Sequence, residues 1–349
     1  MKLFNIIISC LLVIIVAGCS GVCSTSSVGQ TEDAAENWIS DITLPVPVEF
    51  GNTYMSARGA INDVADIEEK SFRFFAVDKD SLSPVRYDDG LNIYDEPVKY
   101  ISGGFQFERG PVYYPFESDV NFSFYAVLAD DIINVLSEGH RTCVTVPVAE
   151  SEDMLWGVAL TQTPDDMDGF NAGYMRRNPA LKPHLNFIHV LADLKLSAAL
   201  SADSSLGQEE EIVVDSIIFA SIPVIADLCV VDKKQPVKGG TFENGIIGDR
   251  MFSIGTSVDN LSMELFIVPQ NVPVECRVKL VKQRNVEDES FVLQHEWVTL
   301  SLNPYDFLNP ELGLDGYVAG YVYHYSLAVR YENGSFMVGF NNQVATTNK

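Results

Sequence analysis

Basic residues are scarce in this chain. Its 349 residues carry 23 Lys and Arg against 48 Asp and Glu, a formal net charge of −25. Phosphate backbones are held by clustered cations, so this deficit argues against nucleic acid as a partner. Catalytic motifs are missing too. There is no GxxxxGK[ST] phosphate loop and no GxSxG nucleophile elbow. None of the six cysteines lies in a CxxC or Cys/His pattern, which argues against zinc. Asp165-Asp166-Met167-Asp168-Gly169 partly resembles a calcium loop, but with Gly169 sixth the first position is Pro164 and the pattern fails. His184 and His189 are five apart, which on a strand means opposite faces, and His189 reads as a hydrogen-bonded core histidine. Acids are too common to single out a glycosidase pair. The expectation is no enzyme, no metal and no cofactor. Trp38, Trp156 and Trp297 could stack on sugars but lie in separate segments, and a core role is expected for Trp156 and Trp297.

Long apolar runs are confined to the start. Lys2 precedes the apolar Leu3–Val16, which is short for a membrane span. Val16-Ala17-Gly18-Cys19 then has the form of a bacterial lipobox, and Ser20 after it favours outer-membrane sorting. Residues 1–18 read as a lipoprotein signal peptide and Cys19 as the lipid attachment site; Cys23 is a poor rival because Val22 precedes it. Cys10 leaves with the signal peptide. Cys143, Cys229 and Cys276 stand in apolar, strand-like contexts and read as small buried hydrophobes.

The mature chain is 20–36 tether, then strand after strand. Ser71–Asp78, Arg141–Val148, Met154–Thr161, Ile212–Ala220, Leu261–Val268, Val274–Val281 and Phe291–Leu302 have strand patterning, and Val112–Leu128 reads as two aromatic strands split by Glu117-Ser118-Asp119. Tyr321–Tyr331 and Ser335–Ala345 flank Glu332-Asn333-Gly334, and Asn-Gly is the strongest short hairpin signal. Ile61–Lys70 has helical spacing for one or two turns. Asp130–Gly139 reads as a short helix by its ends, and Gln162–Pro183 as a polar loop. Leu185–Ala198 is the longest apolar stretch of the mature chain, and the acidic Ser201–Glu211 is the best boundary between domains. The expected fold class is all-β, two β-sandwiches in tandem with few short helices: 59–200 and 201–349, behind a tether and first strand at 19–58.

That first strand is distinctive. Ile42, Leu44, Val46, Val48 and Phe50 alternate, with Pro45 and Pro47 on the opposite face, as on an edge strand. Arg58-Gly59 follows in a Gly/Asn/Ser-rich stretch that reads as an exposed loop, so the strand could be removed by cleavage there. Five buried side chains would hold it with gross burial on the order of 10 kcal/mol. At the other end Phe336, Val338, Phe340 and Val344 repeat the one-faced apolar period, with Asn342 as the break. Such a tail could add to another molecule's sheet, or could finish its own sandwich.

Several stretches together resemble the fimbrillin family, pilus subunits of Bacteroidales bacteria. They are Tyr113-Tyr114-Pro115 with Asn121–Val127, then Leu185–Leu196, Leu265–Gln270, and Gly320-Tyr321-x-Tyr323-x-Tyr325-x-Leu327 entering the last hairpin. The resemblance implies two transthyretin-like β-sandwich domains and export as an outer-membrane lipoprotein. It implies cleavage after Arg58 by an arginine-specific protease, loss of the first strand with its lipid, and filling of the vacated groove by a neighbour's C-terminal strand. The implied partners are other fimbrial subunits, in a homopolymer or mixed filament, and a host or bacterial surface ligand. A second class stays open: a glycan-binding surface lipoprotein, or a pilus anchor or tip, that is not processed.

Overall fold

The computed structural model describes residues 44–51, 53–55, 61, 63–81, 93–115, 120–129, 131–138, 141–148, 153–160, 169–220, 222–231, 237–241, 245–246, 252–253, 263–287, 289–306 and 316–346. The signal peptide, Cys19, Trp38, Ile42, Arg58, Gly59 and the calcium-like loop at 165–168 lie outside them.

The first half of the chain supplies β1 (Thr53–Met55), β2 (Ser71–Asp78), β3 (Tyr94–Ile101), β4 (Gly104–Phe107), β5 (Phe122–Leu128), β6 (Asn134–Glu138), β7 (Arg141–Pro147), β8 (Leu155–Leu160), β9 (His184–His189) and β10 (Ala192–Leu200). The second half adds β11 (Glu210–Ala220), β12 (Pro223–Cys229), β13 (Val237–Thr241), β14 (Gly245–Ile246), β15 (Phe252–Ser253), β16 (Met263–Ile267), β17 (Val274–Val286), β18 (Glu289–Leu302), β19 (Val322–Glu332) and β20 (Ser335–Thr346). One short α-helix, α1 (Ala172–Arg177), occurs among the described residues. The fold class is all-β, as expected.

A seven-stranded sheet in the order β1-β9-β8-β5-β2-β3-β4 is buried on both faces. Its sequence says why. On β2, Phe72, Phe74 and Ala76 enter one core while Phe75 and Val77 enter another; β5 splits in the same way, with Phe124 and Ala126 against Tyr125 and Val127. The sheet β13-β12-β7-β6 covers one face through Val144, Val146, Ala226 and Leu228. The other face is covered largely by irregular segments: Val48 and Phe50, Ile61 and Ile67, Val112 and Tyr114, Phe170 and Met175.

A third core lies between two further sheets, β16-β10-β19-β20 and β14-β11-β17-β18. On β16, Leu265 and Ile267 enter it while Phe266, with Val268 just past the strand, enters the core beneath β7 and β12. The last hairpin turns on Asn333 and Gly334, with φ of 52° and 82°. Positive φ at both central residues is the twist a two-residue hairpin requires.

Some local expectations change. Residues 134–138 are strand β6, not helix: Asp and Gly at its ends mimic caps, but pairing with β7 from Asn134↔Thr145 to Glu138↔Arg141 decides the conformation. The 162–183 stretch contains α1, whose start is capped by Asn171. The Leu185–Ala198 run is two strands that turn at Val190-Leu191 and enter different sheets. The acidic 201–209 stretch joins β10 to β11, which share a core, while β12 returns to the core that lies against the seven-stranded sheet. Trp156 is buried and donates to the Val230 carbonyl (2.7 Å), but Trp297 is 45% exposed on the edge strand β18.

Candidate functional site

The site is the irregular cover on the seven-stranded sheet. Residues 45–51 and 53–55 cross it with little regular pairing of their own. The Val48 amide donates to the Val112 carbonyl (2.7 Å), and the Tyr114 amide donates to the Val46 carbonyl (2.8 Å). The Gly51 amide donates to the Pro183 carbonyl (2.8 Å), and β1 then runs parallel to β9 through Thr53↔Leu185, Tyr54↔Asn186 and Met55↔Phe187. Gly51 passes so close that a Cβ there would lie 2.8 Å from the His184 ring. Glu49 meets Lys182 at 2.6 Å, but both side chains are about half exposed and such a pair adds little.

Apolar anchoring is concentrated in two side chains. Val48 is 6% and Phe50 8% exposed. The Phe50 ring lies edge-on to Phe74, Phe124 and Phe105, at centroid distances of 5.1, 5.5 and 6.1 Å. Val46 is partly buried, whereas Leu44 is 60% exposed. The expected row of five thus has two fully buried members among the four described, and gross burial falls to about 3–6 kcal/mol. The prolines that mark this stretch as an edge also keep it from forming a full ladder.

Past Arg58 the chain is held differently. Ile61 is 5% exposed, and its amide reaches Asp153 Oδ2 at 3.5 Å. The same oxygen lies 2.5 Å from His189 Nδ1, with both side chains 1% exposed. His189 is therefore the hydrogen-bonded core histidine expected from its strand. Its acid partner is 36 residues away, so no local pattern reveals it.

The tail is strand β20, bonded along its length to β19 and forming an edge of its own sheet. Phe336 is 6% exposed against Tyr331, while Val338 and Phe340 are partly buried on the C-terminal core. Phe340 pairs with Leu327 and Asn342 with Ser326, leaving one extra residue between them. Val344 pairs with His324, so this bulge takes it out of step with Phe336, Val338 and Phe340.

Two electrostatic features lie in the second half. Asp193 is 2% exposed. Burial, reinforced by the charge of Glu264, pushes its carboxyl up to about 8, although Lys195 Nζ stands 3.3 Å away. Cys276 is fully buried, and burial pushes its thiol up to about 12. No cluster of His, Cys, Asp and Glu suited to a metal ion occurs among the described residues. An open cleft of about 580 Å³ is lined by Lys70, Ser71, Arg73, Leu128, Ala129, Asp131 and Ile132.

Sheets packed face to face beneath an irregular cover define an all-β fold that also occurs among Bacteroides proteins of known structure. The chain superposes on a protein of Bacteroides uniformis provisionally assigned to cell adhesion, with a TM-score of 0.51 and 14% identity, over 87% of this chain and 98% of that one. It also matches a fimbrial protein of Bacteroides vulgatus, with a TM-score of 0.50 and 10% identity, over 86% of this chain and all of that one. At these identities the likeness concerns the fold. Neither a sequence-family model nor a curated protein sequence matches the chain.

Proposed function

We propose that this protein is a structural pilus subunit. It is exported as a lipoprotein through Cys19, cut after Arg58, and polymerised by exchange of the segment that covers its first core. One observation carries the reading: Pro45–Met55 seals an apolar core with two deep side chains and a short parallel strand, just ahead of Arg58. Cleavage there releases Val48, Phe50 and β1 together and leaves Ile61 anchored beside Asp153. It uncovers both an apolar face and the β9 edge, a combination that accepts an incoming strand.

The donor is the tail, with Phe336, Val338 and Phe340 as its apolar row. In the monomer that row serves its own sandwich, so donation requires β20 to part from β19. Contacts of this kind are head-to-tail and do not close, so they build filaments. The fimbrial name borne by the fold's Bacteroides vulgatus neighbour supports the pilus part of this reading.

The test is a binding measurement. A synthetic peptide of residues 335–346 should bind protein that begins at Gly59 and should not bind the uncut chain. Arg58→Ala protein should remain folded, lipidated and monomeric. Peptide binding equally well to both forms, or polymers of normal length from Arg58→Ala, would sink the proposal.

A further inference from the structure

We propose that Cys143 and Cys229 form a disulfide in the exported protein. They stand directly opposite one another on the antiparallel strands β7 and β12, with their sulfurs 2.8 Å apart. The neighbouring hydrogen bonds define the pair. The Val230 amide donates to Thr142 and the Val148 amide to Val224, so the bonded pairs fall on the even positions of β7. Cys143 and Cys229 therefore form a non-hydrogen-bonded pair, the kind that brings Cα atoms to about 4.5 Å and side chains closest. That spacing lies within the roughly 4.4–6.8 Å range that disulfides bridge.

The pair is also reachable. Val144, Val146, Ala226 and Leu228 point into the core below, so the alternating cysteines lie on the outer face, half-buried, beside the Thr145–Asp227 hydrogen bond. Expectations of two buried hydrophobes at these positions are therefore corrected; only Cys276 is of that kind. An oxidant can approach Cys143 and Cys229 but not Cys276.

The chemistry is two thiol–disulfide exchanges with a disulfide-bearing oxidoreductase or small disulfide. One cysteine thiolate attacks the oxidant's disulfide, forming a mixed disulfide and expelling one thiolate. The second cysteine thiolate attacks the protein sulfur of that mixed disulfide and expels the other. The protein loses two protons and two electrons, and the oxidant takes them up, an oxidoreductase becoming a dithiol and a small disulfide two thiols. The inference rests on the proposed export, because a reducing cytosol would keep both thiols reduced.

The bond would close a loop between positions 86 apart and fasten β12 to β7. Those strands belong to the outer sheet on one face of the seven-stranded sheet; the removable segment lies on the other face. One cover would thus be stapled while the opposite one is exchanged.

Mass spectrometry provides the test. The full chain, purified reduced, is exposed to oxidised glutathione, alkylated and digested without reductant; protein recovered from the cell surface is alkylated and digested in parallel. Both samples should yield one linked peptide pair containing Cys143 and Cys229. Reduction should lower the melting temperature by several degrees in wild type and leave a Cys143→Ala/Cys229→Ala protein unshifted. Separately alkylated Cys143 and Cys229 peptides in either sample would overturn the proposal, as would linkage of either to Cys23. The mature N terminus, read from the same digest, judges the pilus reading independently.

Discussion

Phe50 offers the sharpest test of the removable cover. Its ring is 8% exposed and meets three other phenylalanine rings, so Phe50→Ala leaves a cavity in a packed aromatic cluster. Truncations of this kind cost about 3–5 kcal/mol. In the uncut chain the segment stays tethered, and the loss reads as a lower melting temperature. After cleavage behind Arg58 the same loss acts on a fragment held only by non-covalent contacts. There it becomes a roughly hundred- to few-thousand-fold weaker hold. The assay is limited digestion with an arginine-specific protease, verified by a Gly59 N terminus, then gel filtration at intervals to follow the departing fragment. Wild-type fragment should stay bound far longer than the Phe50→Ala fragment. Leu44→Ala is the control, because a side chain 60% exposed contributes little anchoring. Equal release from wild type and Phe50→Ala would refute the argument that this side chain plugs the core.

Three further outcomes are expected. Deleting residues 335–349 should lower the melting temperature, because Phe336 is buried in the C-terminal core, and should still permit processing while abolishing filament growth; electron microscopy and N-terminal sequencing read the two effects. The Asp193 carboxyl is raised from an ordinary 3.8 to about 8 in the folded chain, so the folded state binds the proton more tightly. Its contribution to stability is present below about pH 4 and is lost as pH rises towards 8. Asp193→Asn should therefore raise the melting temperature at pH 9 and change it little at pH 4. Gly157→Ala would place a Cβ 2.5 Å from the Phe187 ring, and overpacking of this kind costs about 1–3 kcal/mol by denaturant titration.

Strand positions were legible where one local rule sufficed. Nearly unbroken apolar runs mark β5 and β8 because these strands bury both faces in two cores, and Asn333-Gly334 marks its own turn. Where a partner decides, the local rule fails. Asn134–Glu138 has helix-like ends but pairs with β7. Trp297 has a core residue's character, yet its strand ends the sheet. The candidate site divides in the same way. Val48 and Phe50 follow from period two, while Leu44 departs from it because the prolines leave this segment without a continuous ladder. β1, the Asp153–His189 pair and the Cys143–Cys229 contact each join residues at least 36 apart, and only topology brings them together.

The parallel seam between β1 and β9 has a consequence for the proposed strand exchange. It is three residues long, and parallel pairing is slightly the weaker kind per residue. β9 offers six residues, His184–His189, of which β1 pairs with only three. A longer arriving strand can therefore occupy more of β9 than the native segment ever did. Under the proposed exchange, that longer pairing would offset part of what β20 loses in parting from β19.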